Sequence, residues 1–515
     1  MRKWRCVVAA TLIPWGASAQ AAWYRADSKH FIIYADESAQ DLTAFATRLE
    51  RFDRAVRFLR EMDDPPVGDG NRLTVFVLPS VGAVQKLHGY GDRYVEGFYT
   101  PRASGSLAFV PRSTGPNLPG TLSADTIFFH EYSHHLMFQA IDKPLPPWVV
   151  EGFAEFMSTV RFEKNGDIGI GLPAYHRAGG LALANSLPLQ TMLSGDYVKL
   201  SPEQRESLYA RGWLLVHYLT FEKSRTGQLD RYASLLAKGM PGLDAARAAF
   251  GDLKQLDHEL NVYVNRNQLS YVKLNGAKFP AGDIQVQQLS EGASKVIMLR
   301  AQSKRGVSAQ TAEPLAVQVR AVETRFPGDE LVELTLAEAE LNAGHHDASE
   351  GAADRALKAN PKDPKALVIK GRSVLARARA GTGNQRREAF QEARQLFIAA
   401  NKLDTEDPEP LMLFFTSFGE EGVKPRANAI AALHYASDLA PQDTGLRMNS
   451  AFEYLAEGEP AEAKRALIPV AYDPHGRELT QIARSIIDKI DAGDAQAALS
   501  TARAGAVSRG GSTPN

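Results

Sequence analysis

The sequence predicts an α+β domain over residues 22–270, followed by an all-α domain of helical repeats over 309–500, with a connector at 271–308. Three observations predict this division. In the first half, β-branched and aromatic runs of strand length alternate with stretches of helical period. Past Ala309 the composition shifts to Ala, Leu, Arg and Glu. In that second half similar helix-ending cadences recur at intervals of about one helix pair. A length of 515 residues accommodates two or three domains with separate cores.

The chain begins with Arg2, Lys3 and Arg5, an apolar run from Cys6 to Trp15, and the small-residue stretch Gly16-Ala17-Ser18-Ala19-Gln20-Ala21. This is the layout of a secretory signal peptide over residues 1–21, with an Ala-x-Ala cleavage pattern. The apolar run is too short to cross a bilayer. Export is therefore expected, to the periplasm if the source is a Gram-negative bacterium and otherwise to the medium. Cys6 is the single cysteine, so the processed chain has none, which excludes disulfides, cysteine nucleophiles and cysteine-ligated zinc. Lys plus Arg number 59 and Asp plus Glu 60, so no net field favours nucleic acid. No other apolar stretch is long enough for an integral membrane segment.

Within the first domain, Phe31-Ile32-Ile33-Tyr34 and Leu73-Thr74-Val75-Phe76-Val77-Leu78 read as strands, separated by a helix over 40–62. Two shorter strands are expected at Gly97-Phe98-Tyr99 and Ser106-Leu107-Ala108-Phe109-Val110. Beyond Thr121 the pattern turns helical. The Lys278-Phe279-Pro280-Ala281-Gly282 stretch reads as a turn in the connector.

In the second domain, helices are expected to end near Pro361, Asp404 and Pro441, which are 43 and 37 residues apart. These intervals are close to the ~34-residue tetratricopeptide period with insertions. Ala451, Tyr454, Gly458 and Ala463 suit the small, aromatic and turn positions of a further unit, and the region resembles a degenerate tetratricopeptide array. Stacked helix pairs would offer a concave face to a protein or peptide partner. The Gly-, Ser- and Pro-containing tail over 501–515 is expected to be disordered.

The chemistry concentrates in His130-Glu131-Tyr132-Ser133-His134, within a helix expected over 122–141, with Ser123 as N-cap and Asp125 in its first turn. Residues four apart share a helix face, so His130 and His134 can grip one metal ion. Glu131 lies to the side, placed to take a proton from the attacking water. Glu151 follows after sixteen residues, in Pro147-Trp148-Val149-Val150-Glu151-Gly152-Phe153-Ala154-Glu155. Pro146 and Pro147 can start a second helix on which Glu151 and Glu155 share a face. Glu151 would complete a His2Glu zinc site, and Glu155 could accept the free ring N–H of His130 and so fix its tautomer.

A His-Glu-x-x-His helix followed by Trp-x-x-Glu-Gly-Phe-Ala-Glu resembles the gluzincin peptidases, closest to the peptidase MA-like domains related to aminopeptidase N. The resemblance spans about residues 28–268 and implies a zincin-like catalytic domain, a Zn2+ cofactor, a peptide or protein substrate, and Glu151 as third ligand. Tyr209-Ala210-Arg211-Gly212 is similar to the Tyr-x-Lys-Gly segment of those enzymes, with Arg211 in place of lysine. It implies that Tyr209 stabilises the oxyanion. Their Gly-x-Met-Glu-Asn segment, which binds a substrate amino terminus, has no counterpart near Glu96-Gly97-Phe98-Tyr99-Thr100. An endopeptidase, its substrate paired to that strand, fits better than an aminopeptidase. The rival expectation is a catalytically silent scaffold whose repeats bind a protein, and the intact Glu131 argues against it.

His135 is expected in an outer shell or on the surface, and His345-His346 at a solvated repeat turn. No Gly-x-x-x-x-Gly-Lys phosphate loop and no Gly-x-Ser-x-Gly elbow occurs, which leaves nucleotide and serine hydrolysis without a starting residue.

Overall fold

The computed structural model describes residues 22–89, 95–112, 122–140, 145–195, 200–473 and 477–507. The expected signal segment, residues 1–21, lies outside them. In chain order the first domain comprises β1 (Tyr24–Asp27), β2 (Phe31–Ala35), α1 (Ala39–Leu59), β3 (Leu73–Leu78), α2 (Val81–His88), β4 (Phe98–Thr100), β5 (Leu107–Pro111), α3 (Ala124–Ala140) and α4 (Pro147–Ser158). There follow β6 (Arg161–Phe162), β7 (Ile168–Ile170), α5 (Ala178–Ala182), α6 (Leu189–Ser194), α7 (Pro202–Phe221), α8 (Gln228–Ala237), α9 (Gly242–Phe250), α10 (Leu253–Val264), β8 (Val272–Leu274) and β9 (Gln285–Gln288).

The main sheet has the order β4-β5-β3-β2-β1-β9, with β2, β3 and β5 parallel and β4, β1 and β9 antiparallel to their neighbours. Alternation along the strands separates two apolar faces. Phe31, Ile33, Val75, Val77, Ala108 and Val110 join the core that holds Phe45, Leu49, Phe52, Phe128 and Tyr132 of α1 and α3. On the other face, Tyr34, Phe76, Phe109 and Phe98 stand in register across four strands. Their rings form a stacked ladder with centroids 5.4, 5.3 and 4.6 Å apart, the cross-strand pairing that aromatic side chains favour.

The stretch expected to be a connector, 271–308, is instead built into the domain. Strand β9 extends the main sheet, β8 pairs with β7 in a three-stranded sheet, and α11 (Glu291–Arg305) lays Ile297 and Ala301 on the aromatic ladder. Burial of α11 against the ladder gives this segment its order.

The second region is helical throughout its described length: α12 (Ala309–Glu323), α13 (Glu330–Asn342), α14 (His346–Ala359), α15 (Pro364–Ala380), α16 (Gly383–Leu403), α17 (Pro408–Glu421), α18 (Ala427–Leu439), α19 (Thr444–Glu457), α20 (Pro460–Ala471), α21 (Arg477–Asp491) and α22 (Ala495–Val507). Successive helices pack as hairpins. Asp329, Asp363, Asp407 and Asp443 each cap the first helix of a pair with the side chain, which gives the recurring turns their common sequence. Gly458, at φ 83°, ends α19 in the left-handed region. Helix α22 takes the first residues of the tail expected to be disordered, and 508–515 lie outside the described residues.

The turns between helix pairs rest on the first domain. Asp404 accepts the Gly70 N–H at 3.0 Å, Asp443 accepts that of Ala103 at 2.8 Å, and Gln442 donates to Ser106 Oγ at 3.2 Å. Arg102 reaches from the β4–β5 loop to cap the last carbonyls of α11, at 2.6 and 2.9 Å. Among the described residues, no helix is long and apolar enough to cross a membrane.

Candidate metal centre

Helix α3 begins at Ser123, whose Oγ accepts the Thr126 N–H at 3.0 Å. In its first turn Asp125 pairs with Arg48 of α1 at 2.8 Å. Tyr132 turns into the core, where its hydroxyl donates to Asp53 of α1 at 2.7 Å. That bond sets the rotation of the helix. His130 and His134, each two residues away, fall on the opposite side.

Helix α4 starts with Pro147 in its first turn, where the missing N–H costs nothing. Its backbone then meets that of α7. A Cβ on Gly152 would stand 3.0 Å from Gly212 Cα and nearer still to the Gly212 carbonyl, and one on Gly212 would lie 2.8 Å from the Trp148 oxygen. Glycine alone permits this approach. The Glu-Gly and Arg-Gly motifs are thus two halves of one helix contact, which brings Glu151 and Glu155 beside Tyr209.

The structure brings His130, His134 and Glu151 together. Their Nε2, Nε2 and Oε2 atoms form a triangle with edges of 3.2, 3.4 and 3.5 Å. A tetrahedral zinc with bonds of about 2.0–2.1 Å spaces neighbouring ligands about 3.3–3.4 Å apart, so this donor set fits that ion in both chemistry and size. Burial disfavours an imidazolium at His130, yet Glu151 and Glu155 outweigh it and push its pKa up to about 10. The pocket favours positive charge.

Glu155 is 1% exposed. Its Oε1 faces His130 Nδ1 at 3.1 Å and accepts from Arg177 at 2.5 Å, while its Oε2 lies 2.9 Å from His176 Nε2. Burial opposes its charge, but Arg177 foremost, with His130 and His176, holds the carboxyl well below the usual range. Glu131 stands half-buried outside the triangle, close enough for its charge to act on His130, Tyr99 and Tyr209. The Tyr209 ring centre is 6.0 Å from that of His130. The Glu151 charge, with burial, raises its phenol pKa, so Tyr209 remains a hydrogen-bond donor. Arg211 turns away, to the Ala184 carbonyl and Asp257.

His135 is buried rather than on the surface, bonded to Tyr99 at 2.8 Å and stacked on Tyr132. His345 is exposed at its turn and paired with Glu340 at 2.7 Å, while His346 is half-buried at the start of α14. His176 and Arg177 are site residues that sequence reasoning missed. They sit in a single 3-10 turn, Tyr175–Arg177, with no periodicity or motif to mark them. A second cluster, His30, Asp53 and Asp64, has metal-like spacing, but Lys29 and Arg57 already neutralise its carboxylates.

No family model and no curated protein matches the chain. Among solved structures it is similar to a thermophilic TPR protein of Thermus thermophilus, at 15% identity and a TM-score of 0.31, over 37% of this chain and 97% of that one.

Proposed function

We propose that the protein is an exported zinc-dependent peptidase with a zincin-like catalytic domain of the gluzincin type. It acts as an endopeptidase, and its helical repeats bind a protein or peptide partner. The observation that carries this reading is the triangle of His130, His134 and Glu151, of zinc-sized edges, with a carboxylate at Glu131 beside it.

His130, His134 and Glu151 would hold Zn2+, which supplies Lewis acidity toward a carbonyl and lowers the pKa of water. The Glu131 carboxylate takes a proton from the attacking water and delivers it to the leaving amine. The Tyr209 hydroxyl donates to the oxyanion that develops on the scissile carbonyl. Glu155 keeps the His130 proton on Nδ1, which leaves Nε2 free to ligate. Among the described strands, β4 lies at one edge of the main sheet. An extended substrate can add to it by main-chain hydrogen bonds, so the cleaved bond need not be near a terminus.

The test is Glu131→Gln with casein or a peptide library as substrate. The variant is expected to retain zinc and to lose cleavage by about 10²–10⁴-fold. Cleavage at the wild-type rate would overturn the assignment.

A further inference from the structure

We propose that Arg177 is a positioning residue that locks the metal-binding helices to the helix carrying Tyr209, so that zinc affinity and oxyanion stabilisation depend on one guanidinium. The inference rests on the metallopeptidase reading.

Arg177 bridges two helices that no other described ion pair joins at this site. Its Nη2 donates to Glu155 of α4 at 2.5 Å and its Nη1 to Glu206 of α7 at 3.1 Å. The guanidinium carbon lies 4.9 Å from the centre of the Tyr209 ring, whose other neighbour is the His130 ring at 6.0 Å. A planar fork with five fixed donors spans two carboxylates from different helices and also stacks on an aromatic face, whereas an ammonium is a point charge that fixes neither their separation nor the ring.

The consequence for the metal site follows from burial. Glu155 Oε1 is shared between Arg177 and His130, at 2.5 and 3.1 Å, in a position nearly free of solvent. Without the guanidinium, Glu155 Oε1 loses its shortest contact, and no other described residue on that side holds the carboxylate against His130. The His130 ring then loses the buried carboxylate that stands 3.1 Å from its Nδ1 and backs its orientation toward the metal.

The turn that carries Arg177 is itself held in place. Gly171, at φ 74°, passes so close to α4 that any side chain there would collide with the Phe156 ring, and Ala174 is buried in the core. His176 Nε2 takes the second Glu155 oxygen at 2.9 Å. The clamp is therefore pre-formed.

The experiment compares Arg177→Met, Arg177→Lys and Glu206→Gln with the wild type. It measures zinc affinity by competition with a chromophoric chelator, kcat and KM on a casein-derived peptide, and the melting temperature of the metal-free protein. Arg177→Met is expected to weaken zinc binding about 10–100-fold and to lower kcat by a similar factor, with KM little changed. Arg177→Lys should recover zinc affinity but not kcat, because charge alone does not hold Tyr209. In a double-mutant cycle with Tyr209→Phe, the losses in kcat should fall short of additive. Glu206→Gln, at a half-exposed position, should keep zinc and lower kcat, which preserves the test if Arg177→Met does not fold. Wild-type zinc affinity in Arg177→Met, or strict additivity with Tyr209→Phe, would overturn the inference. Failure of the wild type itself to bind zinc would overturn the metallopeptidase reading instead.

Discussion

Alanine at Gly152 would place a methyl group between two helix backbones that touch, 3.0 Å from Gly212 Cα and closer to its carbonyl. Carbon atoms settle at about 3.5–4.0 Å, so α4 and α7 must part by about 1 Å. Two effects on stability then oppose one another. Overpacking costs about 1–3 kcal/mol, while alanine in a helix interior is favoured over glycine by about 0.8–1.0 kcal/mol. The net loss is about 0–2 kcal/mol, a fall in Tm of no more than about 8 °C for a domain of this size. Function should suffer much more. Glu151 sits next to the insertion and Tyr209 on the opposing helix, and a 1 Å misplacement costs about 10²-fold in rate. Peptide-cleavage kinetics alongside a thermal melt of Gly152→Ala test this. A folded variant with wild-type kcat/KM would refute the claim that the glycine contact sets the site geometry.

Tyr209→Phe removes one hydroxyl and leaves the ring beside His130 and Arg177. It should lower kcat by about 10²–10³-fold with zinc content unchanged, and an unaltered kcat would remove Tyr209 from the mechanism. His30 is buried between Glu50 at 2.8 Å and Asp64 at 2.9 Å. Burial works against its charge, but the Glu50 hydrogen bond and the Asp53 charge raise its pKa. Its stabilising contribution is then complete below the unfolded-state value of about 6.5 and lost as pH rises through the higher folded value. Urea titrations of His30→Asn should show a larger loss at pH 6 than at pH 9, and the reverse order would contradict the assigned ion pairing.

Much of the fold was legible because local pattern and tertiary environment agree. Phe31 and Ile33 against Ile32 and Tyr34 alternate as a strand buried on both faces must. The expected helices over 40–62 and 122–141 form as Ala39–Leu59 and Ala124–Ala140, with Ser123 as cap. The pairing of His130 and His134 was readable because helical spacing puts them on one face, whereas Glu151 lies on a second helix and was pointed to by the downstream motif and its resemblance. The edge strand β9, Gln285-Val286-Gln287-Gln288, is mostly exposed and carries no apolar alternation. Its pairing with β1 decides its structure, and nothing local announces that. Helix α11 gathers its large apolar residues in one run, Val296 to Leu299, rather than at helical period, and its partner surface is the distant aromatic ladder. Arg177 and the Gly152–Gly212 contact depend on segments brought together only by folding, so neither spacing nor composition could reveal them.

In the proposed enzyme three side chains from two helices hold one zinc ion. The most direct measurement is zinc content and X-ray absorption at the zinc edge, on the wild type and on Glu151→Ala. One zinc per wild-type chain is expected, bound to two imidazole nitrogens and a carboxylate oxygen, with loss of both metal and cleavage in the variant. A wild type without zinc, or a Glu151→Ala protein that keeps zinc and cleaves normally, would contradict it.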